Sequence, residues 1–146
     1  MNTTRYATAR WTGSGTAGQG YLTTSSSVLR QTKYSYLTRF ADGVGTNPEE
    51  LMAAAHAGCF SMKLAFNLQT IGCVPKSIDT RCELVLENGT IVSSHLRVEA
   101  AIPGLTLEQF EKLVDDARQN CPVSKLLTVP ITSEAVLKQA AVATAE

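Results

Sequence analysis

One long apolar segment constrains the fold of this chain more than any other feature of its sequence. It follows Asn47, which suits a helix N-cap, and Pro48, which suits the first helical position. Apolar residues then occur on nearly every side of the predicted helix from Leu51 to Leu68, and Gly72 is a suitable C-terminal stop. A helix over residues 47–71 would be about 36 Å long and would need cover all round. We therefore expect a long central helix, with sheet on one side and a second copy of the chain on the other.

The residues before this helix have the composition and alternation of β-strands. They predict a β-rich N-terminal part over residues 5–40, a three-stranded meander whose last strand runs from Tyr34 to Phe40. Alternate side chains share one face of a strand, so we expect Arg39 to lie on the face of Ser35 and opposite Phe40. The chain then leads directly into the long helix.

The residues after the helix predict a C-terminal part with the order strand, strand, helix, strand over residues 77–138. Apolar and polar residues alternate from Ile78 to Leu86, and Asn88-Gly89 is a strong signal for a tight hairpin. Thr106 and Gln109 have the spacing of a capping box, which predicts that a second helix starts between them.

Size and composition favour one globular domain over residues 1–146. The chain has 146 residues, of which 44% are hydrophobic and 18% charged, and these values are typical of a single globular domain. We expect an α+β fold with antiparallel sheets around the central helix, and a frayed tail over residues 139–146.

The 13 basic and 13 acidic residues balance without a basic cluster, so nucleic-acid binding is not expected. Polar residues such as His56 interrupt the apolar segment, so a membrane span is not expected either.

The four cysteines indicate more about the function of the chain than its composition does: Cys59, Cys73, Cys82 and Cys121. No pair has CxxC spacing and the chain has only two histidines, so we expect no metal site. The first residues lack the apolar region of a secretion signal, so we expect a cytoplasmic protein, in which structural disulfides are rare. Cys82 falls on the inward face of a predicted strand and is expected in the core, whereas Cys73 receives no role.

Cys59 lies in the middle of the long helix and could be either an inert core residue or a reactive thiol. Burial alone raises the pKa of a thiol and keeps it inert, so a nucleophile here needs a nearby cation. Arg39 is the candidate cation, although it could equally be an exposed arginine at the end of a strand. Glu49 could orient Arg39, or could simply complement the helix dipole; it lies ten residues before Cys59, about 80° from the same helix face. Glu50 points to the opposite face and is expected to face solvent.

Cys121 and His56 each have both a structural and a functional interpretation. Cys121 precedes Pro122, at a break in the second helix, and suits either a core cysteine or a movable thiol that forms a disulfide. His56 lies three residues before Cys59 and could form a Cys–His hydrolase dyad with it, although a packed histidine is the more ordinary interpretation.

The run from Thr46 to Met62, with Thr38-Arg39-Phe40 before it and Asn120-Cys121-Pro122-Val123-Ser124 after it, resembles the OsmC/Ohr family. Within that family it is most similar to the osmotically inducible protein C branch of bacterial peroxidases. The resemblance extends from about Tyr6 to Leu137 and implies an OsmC-like fold. It also implies an intertwined homodimer with two active sites at the interface.

By this resemblance the protein would be a thiol-dependent hydroperoxide reductase that needs no cofactor and acts in oxidative or osmotic stress defence. Cys59 matches the peroxidatic cysteine of the family, Cys121 the resolving cysteine, Arg39 the activating arginine and Glu49 its carboxylate partner. In the related organic-hydroperoxide-resistance branch the arginine comes from a different strand, which makes Arg10 the alternative to Arg39. The substrates would be organic hydroperoxides and the reductant a small dithiol or a lipoylated protein. A Cys–His acyl hydrolase and a non-catalytic stress or lipid-binding protein are the other functions considered.

Overall fold

The described residues of this chain form two three-stranded sheets, one 23-residue helix and three shorter helices. The structure, a computed structural model, describes residues 1–40 and 43–138. The chain divides into two units, Met1–Leu51 and Met52–Glu146. The α+β class predicted from the sequence is confirmed, while the prediction for the tail over residues 139–146 lies outside the described residues.

An antiparallel meander forms the sheet of the first unit. Its strands are β1 (Ala7–Thr12), β2 (Gln19–Thr24) and β3 (Thr32–Tyr34). Trp11 from β1 packs against Tyr34 from β3, with ring centroids 5.5 Å apart. Gly20 lies beneath both rings, and a Cβ there would approach them to 2.5 and 2.7 Å. Only glycine therefore allows this aromatic pair to close over the middle strand.

The third strand is shorter than predicted, and Arg39 lies in a helix instead. β3 ends at Tyr34, and residues Tyr36–Phe40 form the short helix α1. The Ser35 amide donates to Thr38 Oγ1 at 2.7 Å and the Thr38 amide donates to Ser35 Oγ at 3.4 Å. These local bonds favour a helix start over a strand, although the segment has high β-propensity. The predicted alternation of side chains around Arg39 is therefore wrong.

The long helix α2 spans Pro48–Thr70. The Glu50 amide donates to Asn47 Oδ1 at 2.7 Å, which is the bond expected of an N-cap. At the other end Gly72 has a φ of 74°, the left-handed conformation that ends a helix at little cost for glycine. No helix among the described residues is long and apolar enough to cross a bilayer.

The apolar residues of α2 are not all buried within one chain. Its buried residues recur every fourth position and so form a single stripe: His56, Phe60, Leu64 and Leu68. Met62 and Phe66 lie outside this stripe and are 64% and 56% exposed. One chain thus covers one side of α2 and leaves apolar residues in solvent elsewhere.

A long hairpin begins the second sheet. Strands β4 (Ser77–Glu87) and β5 (Thr90–Ala101) pair antiparallel. Asn88 and Gly89 both have positive φ, 52° and 77°, as in the two-residue turn that matches the twist of a hairpin. The predicted hairpin is confirmed.

The last strand contradicts the prediction of antiparallel sheets. β6 (Ile131–Lys138) pairs with β5 in parallel. The chain between them forms the helices α3 (Leu107–Asn120) and α4 (Pro122–Leu126). Because this helical crossover returns the chain to the starting end of the sheet, a parallel pairing becomes possible.

The core of the second unit lies between its sheet and its helices. Leu113 on the apolar face of α3 is partly buried, while the inward side chains of β5 and the rest of that face are buried: Leu96, Val98, Ala100, Phe110, Val114 and Ala117. They form one cluster with Phe60, Leu64 and Leu68 of α2 and with Cys121. This packing fixes α2 against the segment that joins α3 to α4.

The capping box at the start of α3 is confirmed, and it gives a test of this part of the fold. The Gln109 amide donates to Thr106 Oγ1 at 3.2 Å, and the Thr106 amide donates to Gln109 Oε1 at 3.0 Å. We expect Thr106→Ala to lower the free energy of unfolding by about 1 kcal/mol, because the Gln109 amide in the first turn loses its partner. Thr128→Ala, at an exposed position, should change it by less than about 0.5 kcal/mol. Equal losses in urea denaturation of the two variants would contradict the capping role.

Candidate functional site

Two cysteines from different elements come together in the second unit. Cys59 lies on α2, is half-buried, and packs against the core cluster that contains the fully buried Cys121. Both are free thiols, and the Cys121 thiol is close enough to raise the pKa of Cys59. The two cysteines predicted from the sequence to be reactive therefore lie close together in this core.

The surroundings of Cys59 oppose its ionisation. Burial is the largest influence and raises the pKa of the thiol, the backbone amide of Val123 lowers that pKa by donating to the sulfur, and Cys121 raises it again. Among the described residues of the second unit, no positive side chain enters this balance. The pKa of Cys59 is therefore raised above its ordinary value, and the thiol needs a positive charge from elsewhere to become a strong nucleophile at neutral pH.

Cys121 ends α3 and begins α4. Its backbone is extended, with φ −67° and ψ 145°, as expected for a residue that precedes proline. Its sulfur accepts a hydrogen bond from the Ser124 amide at 3.4 Å and lies 3.0 Å from Ser124 Oγ. The predicted break at this position is confirmed, and the thiol at the break is held by Ser124.

Arg39 and Glu49 form an ion pair within the first unit. Arg39 Nε donates to both carboxylate oxygens of Glu49 at 3.1 Å, and Nη2 lies 3.0 Å from Oε2. The Glu49 side chain is only 12% exposed, whereas that of Arg39 is 41% exposed. A carboxylate that contacts one edge of a planar guanidinium restricts its orientation. Glu50, as predicted, is exposed.

A cavity of about 220 Å³ lies beside the guanidinium in the same unit. Aromatic rings form much of its wall: Trp11, Tyr34, Tyr36 and Phe40. The Arg39 guanidinium carbon lies 5.4 Å from the centre of the Phe40 ring. Arg10, the alternative arginine, is exposed on β1 and forms no ion pair within the described ranges 1–40 and 43–138.

His56 is the centre of a buried polar network that the sequence analysis missed. Its Nδ1 lies 2.8 Å from Ser94 Oγ and its Nε2 lies 2.8 Å from Ser124 Oγ. Cys82 Sγ lies 3.2 Å from Ser94 Oγ and 3.8 Å from His56 Nδ1. The two serines are 38 and 68 residues away from His56, so no local motif could reveal the contact.

The hydrogen bonds of His56 determine whether it can act on Cys59. Both ring nitrogens of His56 contact serine hydroxyls, and no hydrogen bond joins His56 to Cys59 in the part of the chain that the structure describes. A Cys59–His56 hydrolase dyad is therefore not assembled in this arrangement. Burial lowers the pKa of His56, so the imidazole is neutral at neutral pH. Within residues 1–40 and 43–138, no group of three or more His, Cys, Asp and Glu side chains could hold a metal ion.

Two kinds of solved structure resemble this fold. An OsmC-like protein of unknown function from Vibrio cholerae superposes with a TM-score of 0.75 over 92% of this chain and all of that one, at 15% identity, which shows the fold alone. The organic hydroperoxide resistance protein OhrB of Bacillus subtilis superposes with a TM-score of 0.65, at 26% identity, over 93% of this chain and 98% of that one.

Sequence comparison agrees with the fold. Residues 41–135 match the family model of the OsmC-like protein. Peroxiredoxin OsmC of Escherichia coli K12 is 41% identical over 134 residues, which cover 89% of this chain and 94% of that protein. The organic hydroperoxide resistance protein of Xanthomonas axonopodis pv. citri is 39% identical over 90 residues, 58% of this chain and 61% of that protein. The resemblance found in the sequence is thus confirmed, and the chain belongs to the OsmC-like protein family.

Proposed function

We propose that this protein is a thiol-dependent peroxidase that reduces organic hydroperoxides to alcohols. The observation that carries the proposal is the proximity of Cys59 and Cys121, two free thiols from different elements of one core. The names of two relatives, peroxiredoxin and organic hydroperoxide resistance protein, support the same activity.

In the first step the Cys59 thiolate attacks the terminal oxygen of the hydroperoxide. The O–O bond breaks, Cys59 becomes a sulfenic acid, and the alkoxide takes up a proton and leaves as the alcohol. The sulfur is oxidised by two electrons and the peroxide is reduced by two. This step needs a thiolate, and burial of Cys59 in its own unit works against one.

Arg39 supplies the missing positive charge in this proposal, and Glu49 acts through Arg39. The two-point contact with a mostly buried carboxylate holds the guanidinium in one orientation. A cation next to the sulfur favours the thiolate and lowers its pKa. The guanidinium and the aromatic cavity beside it suit a peroxide that carries an apolar group.

In the second step Cys121 attacks the Cys59 sulfenic acid. A Cys59–Cys121 disulfide forms and the hydroxyl group of the sulfenic acid leaves as water. A dithiol, such as a lipoylated protein, then reduces the disulfide by two thiol–disulfide exchanges and becomes a disulfide itself. A reducing compartment such as the cytoplasm suits this cycle.

The working form in this proposal is an intertwined homodimer with two active sites at its interface. Met62 and Phe66 project from α2 and are 64% and 56% exposed in a single chain. Large apolar side chains that are exposed on a helix are typical of a surface that a partner covers.

The proposal is tested by peroxide consumption. Purified protein with dihydrolipoamide should consume cumene hydroperoxide faster than hydrogen peroxide at equal concentration, because an apolar group gains contacts in an aromatic cavity. The absence of any consumption would contradict the proposal. Turnover of a chromogenic ester that disappears in His56→Ala would support the hydrolase instead.

Replacing Cys121 gives the prediction specific to the second step. In Cys121→Ser the first turnover should proceed, since Cys59 is intact, but the sulfenic acid should accumulate because nothing condenses with it. Dimedone labelling of Cys59, followed by mass spectrometry, should therefore rise to about one label per chain after one equivalent of peroxide. A steady-state rate equal to that of the wild type would remove Cys121 from the cycle.

A further inference from the structure

A continuous chain of polar side chains crosses the core of the second unit from Cys121 to Cys82. Ser124 Oγ lies 3.0 Å from the Cys121 sulfur and 2.8 Å from His56 Nε2. Ser94 Oγ lies 2.8 Å from His56 Nδ1 and 3.2 Å from the Cys82 sulfur. His56, Ser94 and Cys121 are fully buried and Ser124 is 7% exposed. The peroxidase cycle described above uses only one end of this chain.

Packing alone does not account for these residues. A buried hydroxyl or imidazole costs free energy unless each is hydrogen-bonded, and apolar residues of similar size would avoid that cost. Here each serine hydroxyl connects an imidazole nitrogen to a thiol sulfur, so a proton can pass between them through short hydrogen bonds. The thiol at the far end of one such connection is Cys121, which must lose its proton in the second step.

We propose that His56 accepts the proton of Cys121 through the Ser124 hydroxyl when Cys121 attacks the Cys59 sulfenic acid. This inference rests on the proposed function, whose second step it deepens. His56 touches neither sulfur that reacts, so it is a positioning residue that acts through Ser124.

The hydrogen bonds of the chain have one consistent direction for this transfer. Nε2 accepts from the Ser124 hydroxyl only if the proton of the neutral imidazole is on Nδ1, which then donates to Ser94 Oγ. The Ser94 hydroxyl in turn donates to the Cys82 sulfur. The proposal thus gives Cys82 a function as the last acceptor of the chain, one that its place in the strand does not suggest.

The step balances without any further reagent. The Cys121 proton moves to the Ser124 oxygen while the Ser124 proton moves to Nε2, and the Cys121 thiolate then accepts hydrogen bonds from the Ser124 hydroxyl and amide. The thiolate attacks the Cys59 sulfur and the S–S bond forms as the S–O bond breaks. The hydroxide that departs from Cys59 takes up a proton and leaves as water, and the imidazolium gives up one proton, so that no net proton is gained or lost.

Among the hydrogen-bond contacts of the described residues, the one titratable group that reaches His56 directly is the Cys82 thiol on β4, while Cys121 reaches it through Ser124 and Cys59 lies three residues further along its own helix. The contacts from β5 and α4 are the neutral hydroxyls of Ser94 and Ser124. Burial lowers the pKa of His56 and raises the pKa of Cys82. The imidazole is therefore uncharged at neutral pH and can accept a proton.

The test separates the two steps of a single turnover. Reduced protein is mixed with one equivalent of cumene hydroperoxide from pH 5.5 to 9, and peroxide loss and disulfide formation are followed separately. We expect the ratio of the disulfide rate to the peroxide rate to fall about 100-fold in His56→Gln and in Ser124→Ala, with loss of the pH dependence that the imidazole imposes. Ser124→Thr, which keeps the hydroxyl, should recover most of this ratio, and Ser93→Ala, on the same strand as Ser94, should leave it unchanged.

A second oxidant keeps this inference distinct from the peroxidase proposal. Diamide adds to the Cys59 thiolate, and Cys121 then displaces the adduct, so a disulfide and a hydrazine form without any peroxide. Absence of peroxide consumption with a His56-dependent diamide reaction would refute the peroxidase proposal and support the relay. A wild-type ratio and pH profile in folded His56→Gln would overturn the relay, as would failure of diamide to form the Cys59–Cys121 disulfide.

The tautomer of His56 can be measured directly on the wild-type protein. The ¹⁵N chemical shifts of reduced protein should assign the His56 proton to Nδ1 at pH 7. A proton on Nε2 would overturn the relay, because that nitrogen could not then accept from Ser124.

Discussion

Cys59→Ser is expected to reduce peroxide consumption by about 10³-fold or more, because the variant lacks the sulfur that the peroxide oxidises. Cys73→Ser is the matched control: Cys73 is also half-buried and packs against the same core, but it has no part in the proposed cycle. The control should retain activity within about twofold. The assay is the loss of cumene hydroperoxide with dihydrolipoamide as the reductant.

The comparison separates chemistry from damage to the fold. Both variants replace a half-buried thiol by a hydroxyl, so both lose a similar amount of stability. If Cys59→Ser kept most of its activity, or if Cys73→Ser lost as much, the peroxide would react elsewhere in the molecule.

Arg39→Met should have the second largest effect, about 100-fold at pH 7. In the proposed cycle Arg39 stabilises the Cys59 thiolate, so its removal is expected to raise the pKa of that thiol and to leave less thiolate at neutral pH. The sign of the pH effect follows: the rate should rise with pH through the raised pKa, and the difference from wild type should shrink in alkaline solution. The pH profile of the first step and the thiolate absorbance near 240 nm measure both consequences.

Two further variants decide which arginine acts. Glu49→Gln should lower the rate by about tenfold, because it weakens the two-point contact but leaves the guanidinium charge in place. Arg10→Met should have little effect, since Arg10 is exposed and unpaired among the described residues. A large loss in Arg10→Met with an active Arg39→Met would give the activating role to the other strand.

Features that depend on neighbouring residues could be predicted from the sequence. The N-cap at Asn47, the turn at Asn88-Gly89 and the capping box at Thr106 all follow from side chains that satisfy nearby backbone groups. Strands β4 and β5 could also be predicted from their alternating apolar and polar residues, because one face of each strand is turned toward the core.

Local chemistry also explains the error around Arg39. Tyr36–Phe40 has the composition of a strand, yet two bonds between Ser35 and Thr38 start a helix there. A strand is predicted for this segment from β-propensity alone, which is a weak and context-dependent preference that local hydrogen bonds can override.

Features that join distant parts of the chain could not be read from the sequence. The parallel pairing of β6 depends on a crossover of two helices. The contacts of His56 with Ser94 and Ser124 join three elements, and serine has no distinctive pattern when it is buried. Few residue types can act as a nucleophile or a permanent cation, so the cysteines and the arginine can be predicted as site residues from the sequence. The network next to Cys121 contains serines, which are common in every part of a protein.

The central claim is that Cys59 reacts with the peroxide and then forms a disulfide with Cys121. Its most direct test is a thiol count on fully reduced protein before and after one equivalent of cumene hydroperoxide, without reductant, followed by peptide mapping. The account predicts that two of the four thiols disappear and that the map contains one Cys59–Cys121 disulfide. Four remaining thiols, or a disulfide between any other pair, would contradict it.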